Sequence, residues 1–318
     1  MNAVRPGASR SDTPAVLPAV RMTKHHGLGN DFLVIFEEDA PGGAHWADLA
    51  RRWCHRRTGI GADGLLVARA GDASPDSGVD VLMRLHNADG SEAEMSGNGI
   101  RCLVQAWSRR MERIEGRVVV GTAAGPRAVQ YAPGPSTDTI VASVDMGPVV
   151  EIDEPDTWLA VGADPLRPVV HVTLGNPHTV VAVDDLDAID LASLGRLLAD
   201  VNLEVIAAGP ERDAITMRVH ERGVGITEAC GTGACAAAWA AAAWGMVTRA
   251  TTEITVHMAG GDAKVRLGQP SRGRVTLVGP ATFVATIQTG LPGMSGAADG
   301  AAMPEASATT AQEVGSPA

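Results

Sequence analysis

The chain has no Lys/Arg-rich run and no basic helix face, and its formal net charge is −11. Nucleic acid and anionic membranes therefore fit poorly as partners, and a small-molecule substrate fits better. Cysteine is scarce, with 4 in 318 residues. None of Cys54, Cys102, Cys230 and Cys235 belongs to a CxxC pair or a dense framework, which favours reduced thiols in a cytoplasm over disulfides. No apolar run approaches the length of a membrane span. The short run at residues 15–20 follows Pro14 and is broken by Pro18, too interrupted for a signal-peptide core.

The composition, 45% hydrophobic and 20% charged, supplies one large or two medium cores, and two domains are the expectation. Residues 1–20 and 291–318 are rich in Ala, Gly, Ser, Pro and Thr without periodic apolar positions, and read as disordered tails. Between them lie β-branched runs bounded by Gly, Pro, Asn or Asp at 32–36, 64–68, 79–85, 117–121, 139–144, 169–174, 179–183, 202–207, 214–219, 253–258, 263–267, 274–278 and 282–287. Helical pattern is confined to 45–56, 99–111, 190–198 and 233–244. The last is almost all alanine, so its small side chains suit a helix packed closely inside a sheet. Many strands and few helices predict an α+β fold.

An internal near-repeat carries more information. Glu-Met-Ser-Gly-Asn-Gly-Ile at 94–100 aligns with Glu-Ala-Cys-Gly-Thr-Gly-Ala at 228–234, each ahead of a helix. Two pseudo-equivalent halves with Gly-rich loops at helix N-termini imply one cleft at their junction, with Ser96 and Cys230 facing each other. Such loops expose consecutive N–H groups that, with the helix dipole, attract a carboxylate or phosphate. The dipole is also expected to lower the pKa of the Cys230 thiol. An isolated cysteine is usually a small buried hydrophobe, and Cys54, Cys102 and Cys235 are read so. Cys230 is read as reactive, because its loop is duplicated and His220, Glu221, Arg222 and Thr227 crowd its upstream side. Arg222 is a natural clamp for a carboxylate.

The blocks His-Gly-Leu-Gly-Asn-Asp-Phe at 26–32, Asn-Ala-Asp-Gly-Ser at 87–91, Ser-Gly-Asn-Gly-Ile-Arg-Cys at 96–102, Gly-Asn-Pro-His at 175–178, Glu-Arg-Gly-Val-Gly at 221–225 and Ala-Cys-Gly-Thr-Gly-Ala-Cys at 229–235 together resemble the diaminopimelate epimerase family. The resemblance runs in order from about residue 22 to 290. It implies two pseudo-symmetric domains, each a β-barrel-like sheet around a central helix, with the active site in the interdomain cleft. The first domain is expected at 21–141 with a returning strand near 282–290, and the second at 142–279. The implied activity is interconversion of LL- and meso-diaminopimelate in lysine biosynthesis, without pyridoxal phosphate or any other cofactor or metal, by a cytoplasmic homodimer. Matching positions give Cys230 and Ser96 as the catalytic pair, and His178 and Glu221 as groups that set its protonation. Substrate ligands are implied at Asn30, Asn87, Gly97, Asn98, Asn176, Asn202, Glu221, Arg222, Gly231 and Thr232. Inverting a stereocentre needs one group to remove the proton and another to deliver it on the opposite face, which two symmetric loops supply.

Ser96 stands where the family usually has a second catalytic cysteine. A serine hydroxyl is a far weaker acid than a thiol, so symmetric two-thiol chemistry is not available. Cys102 lies nearly two helical turns further on, out of reach. Gly64 stands where some members carry a side-chain amide. Three readings follow: an epimerase in which Ser96 relays the proton, which is preferred; a one-base dehydratase or racemase of a proline-like amino acid; and an amino-acid-binding homologue without turnover.

Overall fold

A computed structural model describes residues 19–40, 42–71, 78–161, 167–248, 250–268 and 273–290. Residues 1–18 and 291–318, read as tails, lie outside the described residues. Residues 20–289 form one compact unit.

The first half opens with the hairpin β1 (Ala19–Gly27) and β2 (Asn30–Phe36), whose turn places Leu28 and Gly29 at positive φ. Ala19 and Val20 thus belong to a strand and not to a tail. The amphipathic helix α1 (Trp46–Cys54) buries Trp46, Ala50 and Trp53, and leads to β3 (Gly64–Ala70), parallel to β2. β4 (Val81–Asn87) and the short β5 (Glu92–Ala93) follow antiparallel. Helix α2 (Gly97–Arg110) then leads to β6 (Gly116–Thr122), parallel to β4, and to the meander β7 (Gly125–Pro133) and β8 (Thr139–Pro148).

The second half repeats this order. β9 (Val150–Glu151) continues β8 and pairs with β10 (Val169–Thr173), which forms a hairpin with β11 (Pro177–Ala182). Helix α3 (Leu191–Leu197) precedes β12 (Asn202–Ala208), parallel to β11. β13 (Ala214–Glu221), β14 (Gly225–Thr227), α4 (Gly231–Ala243), β15 (Glu253–Met258), β16 (Gly261–Leu267) and β17 (Arg274–Gly290) complete the copy, with β15 parallel to β13.

The long strand β17 pairs with β16, β8 and β1, closing an eight-stranded barrel in the first half. The β9–β10 pairing closes the second ring through the same two long strands. Closure removes free sheet edges. Each barrel has a helix inside it, and that placement explains the unusual sequences of α2 and α4. A helix enclosed on all sides has no polar face. In α4 the positions from Gly231 to Ala238 are all buried, and alanine keeps the helix thin enough to fit. In α2 every residue from Gly97 to Ser108 is buried, polar ones included. Leu103 and Val104 of α2 and Ala236 and Ala240 of α4 belong to one continuous apolar core.

The sequence reading located the long strands but missed β1, β5, β7, β9 and β14. In β1, Lys24, His25 and His26 interrupt the apolar alternation, although His25 is buried. Pro126 and Pro133 argue against a strand at β7, which accommodates them at its two ends. The runs at 274–278 and 282–287 are one strand and not two.

Candidate active site

Ser96 and Cys230 are the N-caps of α2 and α4. Ser96 Oγ accepts the Gly99 N–H at 3.0 Å, and Cys230 Sγ accepts the Gly233 N–H at 3.3 Å. The helices begin two residues earlier than the sequence pattern placed them. The following glycines are explained by crowding rather than by backbone strain. A Cβ on Gly97 would lie 3.2 Å from Gly231 Cα, and one on Gly231 would lie 3.0 Å from Gly97 Cα. The two helix N-termini therefore meet nearly in contact. The first N–H groups of each helix have no intrahelical acceptor, so their partial positive charges converge on one place and favour a carboxylate there.

A cleft of about 340 Å³ opens beside this junction. Asn30, Asn87, Ser96, Asn176, Asn202, Glu221 and Arg222, all implied as site residues by the resemblance, line it. Gly97, Asn98, His178, Cys230, Gly231 and Thr232 do not line it and lie buried beneath it. His220, singled out with them, points the other way and packs against Gly195 of α3. Side chains alternate along β13, so Glu221 facing the cleft sends His220 to the opposite face.

The amides expected to hold substrate are already held by hydrogen bonds within the protein. Asn30 donates to Asp63 Oδ2 at 2.8 Å and accepts from Asn98 Nδ2 at 3.1 Å. Asn176 donates to Thr232 Oγ1 at 3.2 Å while its Oδ1 faces His178 Nε2 at 3.1 Å. Asn202 accepts the Arg222 N–H at 2.9 Å and donates to the Pro177 carbonyl at 3.1 Å. Asn87 Nδ2 donates to Ser91 Oγ at 3.1 Å. Two links join the halves across the cleft: Asn98 Nδ2 to the Ala229 carbonyl at 2.9 Å, and Arg222 to Glu94 at 3.2 Å.

The sequence reading missed Asp63, which orients Asn30 and is held by Arg56 at 2.6 Å. It also missed Glu204. This residue is fully buried in β12, and its Oε1 lies 2.7 Å from His178 Nδ1. Glu204 Oε1 and Asn176 Oδ1 thus lie at the two ring nitrogens of His178 and fix the orientation of the imidazole. Gly233 lacks the Cβ that would collide with that carboxylate.

Cys230 departs from the expected low-pKa thiol. Burial, followed by the negative charges of Glu221 and Glu204, pushes it well above the ordinary thiol range, against the smaller pull of hydrogen bonds from Thr232 and Gly233. In the ligand-free protein desolvation outweighs the helix dipole. Burial pushes the Glu221 carboxyl up, while hydrogen bonds from Thr227 and Cys230 pull it down. A buried thiol thus stands beside a carboxyl group whose proton affinity burial has raised. Cys54, Cys102 and Cys235 are buried free thiols pushed up to about 12, chiefly by burial.

A family model described as diaminopimelate epimerase matches residues 22–152 and 170–284. The chain is 36% identical over 288 residues to the diaminopimelate epimerase of Heliobacterium modesticaldum, covering 83% of this chain and 98% of that one. It is 37% identical over 294 residues to that of Moorella thermoacetica, covering 83% and 97%. Among solved structures, a hydroxyproline epimerase from Agrobacterium vitis superposes with a TM-score of 0.64 at 16% identity, over 86% of this chain and 91% of that one. A phenazine biosynthesis protein from Bacillus anthracis gives 0.66 at 14%, over 85% and 99%. At these identities the structural matches establish the shared fold of two pseudo-symmetric barrel-like halves. The matched sequence, the duplicated helix-capping loops and the cleft between them place the chain in the diaminopimelate epimerase family.

Proposed function

We propose that the protein interconverts LL- and meso-diaminopimelate by removing the α-proton on one face and returning a proton on the other. The observation that carries this is the convergence of two capped helix N-termini on one cleft, with Cys230 at one and Ser96 at the other. The α-carboxylate sits at the helix junction, where charge that develops on proton removal meets the exposed N–H groups. Cys230, giving its own proton to Glu221, is the base on one face. On the other face Ser96 is a hydroxyl donor that passes on a proton from water. The distal ammonium and carboxylate fall among Asn30, Asn87, Asn176, Asn202 and Arg222, whose mixed donors and acceptors serve both charges. Gly64 leaves one side-chain contact to solvent. No cofactor enters this reading, since the two caps move the proton themselves. The chain acts as a cytoplasmic homodimer in it, and light scattering after size exclusion checks the dimer.

The test is incubation with LL-diaminopimelate in deuterated water, followed by mass measurement and chiral analysis. Deuterium at the α-carbon together with meso product supports the reading. Exchange with trans-4-hydroxyproline and none with diaminopimelate would turn it toward the proline-like substrate. Binding of diaminopimelate without exchange would leave an amino-acid-binding homologue.

A further inference from the structure

Arg101 is a buried cation that the proton-transfer scheme leaves unused. It lies in the second turn of α2, fully excluded from solvent, and forms no ion pair with any carboxylate among the described residues. Its contacts are all neutral. Nη2 donates to Asn98 Oδ1 at 2.7 Å, Nε to the Pro280 carbonyl at 3.1 Å, and Nη1 to the Gly97 carbonyl at 3.4 Å. The titratable groups that act on it are the Cys102 and Cys235 thiols, which burial keeps neutral. Burial lowers Arg101 to about 10, so it keeps its charge at neutral pH.

The fold makes room for this charge. Gly27 at the end of β1 and Gly279 in β17 flank the guanidinium, and a Cβ on either would lie 3.1 Å from it. An unpaired buried charge is strongly unfavourable, and a cation near the N-terminal turn of a helix also opposes the helix dipole. Two independent features thus concentrate positive potential at the same spot: the paired N-termini of α2 and α4, and an arginine bonded to the first two residues of α2. Asn98 carries the connection onward, because it accepts from Arg101 and donates to the Ala229 carbonyl, one residue before Cys230.

We propose that Arg101 is a positioning residue whose counter-anion is the α-carboxylate of the bound substrate, and that it holds the carboxylate site together through Asn98 and Gly97. The ligand's identity rests on the diaminopimelate reading, but the argument requires only an α-amino carboxylate. Removing the α-proton adds negative charge to that carboxylate, so Arg101 acts more strongly on turnover than on binding. Position 235 is the equivalent turn of α4, and it holds the neutral Cys235. The charge is therefore supplied from the Ser96 side alone.

The experiment compares wild type, Arg101→Lys, Arg101→Met and Arg101→Gln. It measures thermal midpoint without ligand, the rise in midpoint with diaminopimelate or with proline as a second probe, and KM and kcat for α-hydrogen exchange. The expected result is that Arg101→Met matches or exceeds the ligand-free midpoint of wild type while losing most of the ligand-induced rise. Its KM increases roughly tenfold and its kcat falls by more than that. Arg101→Lys, which keeps the charge but loses the fork, falls between. A lowered ligand-free midpoint with the ligand-induced rise and KM unchanged assigns Arg101 a structural role and overturns the proposal. Failure of both Arg101→Met and Arg101→Gln to fold does the same, as does a wild type that neither probe stabilises. A wild type stabilised by proline but inert toward diaminopimelate sinks the functional reading alone, and the proline comparison still decides the role of Arg101.

Discussion

Ser96 and Cys230 cap equivalent helices in equivalent loops, yet the walls around them differ in kind. In the first barrel Phe32 pairs with Gly64, and in the second His178 pairs with Asn202. Two residues further along the strands, the first barrel has Leu66 where the second has Glu204. A Cβ on Gly99 would meet Leu66, just as one on Gly233 would meet Glu204. The buried histidine–glutamate pair behind Cys230 is thus replaced, behind Ser96, by Phe32 and Leu66. Thr227, which bonds Glu221 beside Cys230, faces a β13 position whose counterpart in the first half pairs with Ala93. The ionisable side chains behind the caps are concentrated on one face, and the other offers a hydroxyl on the cleft wall with apolar side chains behind it. A serine there suits a donor or relay and not a base.

The largest expected effect comes from the titrating face. Cys230→Ser, nearly isosteric, lowers α-hydrogen exchange by about 10³-fold or more while circular dichroism and the thermal midpoint stay close to wild type. Unchanged exchange in this variant removes Cys230 from the mechanism.

Making the second wall a copy of the first is the next test. His178→Phe or Glu204→Leu alone leaves a buried polar partner without its hydrogen bond and lowers unfolding free energy by about 1–3 kcal/mol in urea denaturation, whereas the double variant recovers most of it. The double variant also lowers exchange by about 10²-fold, because neither cap then has a polar wall behind it. Full activity in the folded double variant would show that the asymmetry of the walls has no catalytic meaning.

Restoring chemical symmetry at the caps moves the other way. Ser96→Cys raises turnover by about tenfold if proton delivery on that face is limiting. Ser96→Ala loses the helix cap, about 1 kcal/mol of stability, and lowers inversion more than it lowers exchange.

The smallest effect sharpens the same contrast through pH. The first barrel buries His25 against the neutral Gln105 amide at 2.8 Å, and burial lowers it to about 4, helped by the Arg109 and His26 charges. Between the ordinary histidine value and 4 the unfolded chain binds a proton that the folded chain refuses. Stability is therefore full above about pH 6.5 and falls as pH drops through that window, by at most about 3 kcal/mol. His25→Gln flattens the decline in acid unfolding titrations.

The duplication, the capping loops and the place of Cys230 at a helix N-terminus were legible in the chain because each is a local signal: a repeated Gly-x-Gly, a break before a helix, an alanine run. What stayed hidden depends on tertiary partners. Glu204 lies in a strand-like run where a carboxylate reads as solvent-facing, and only His178 on the neighbouring strand makes its burial tolerable. Arg101 reads as a helix-surface cation until the barrel is seen to enclose α2. The raised pKa of Cys230 was missed for the same reason. The helix dipole can be read from the sequence, whereas the desolvation that overrides it follows from packing.

The comparison between the two faces is tested most directly by following deuterium uptake separately from LL- and from meso-diaminopimelate in deuterated water, with initial rates of exchange and inversion measured together. With a base on the Cys230 face and only a hydroxyl on the Ser96 face, one stereoisomer gains deuterium faster than it inverts, and the other does not. Equal rates from both sides, with every deuterium accompanied by inversion, would contradict that asymmetry.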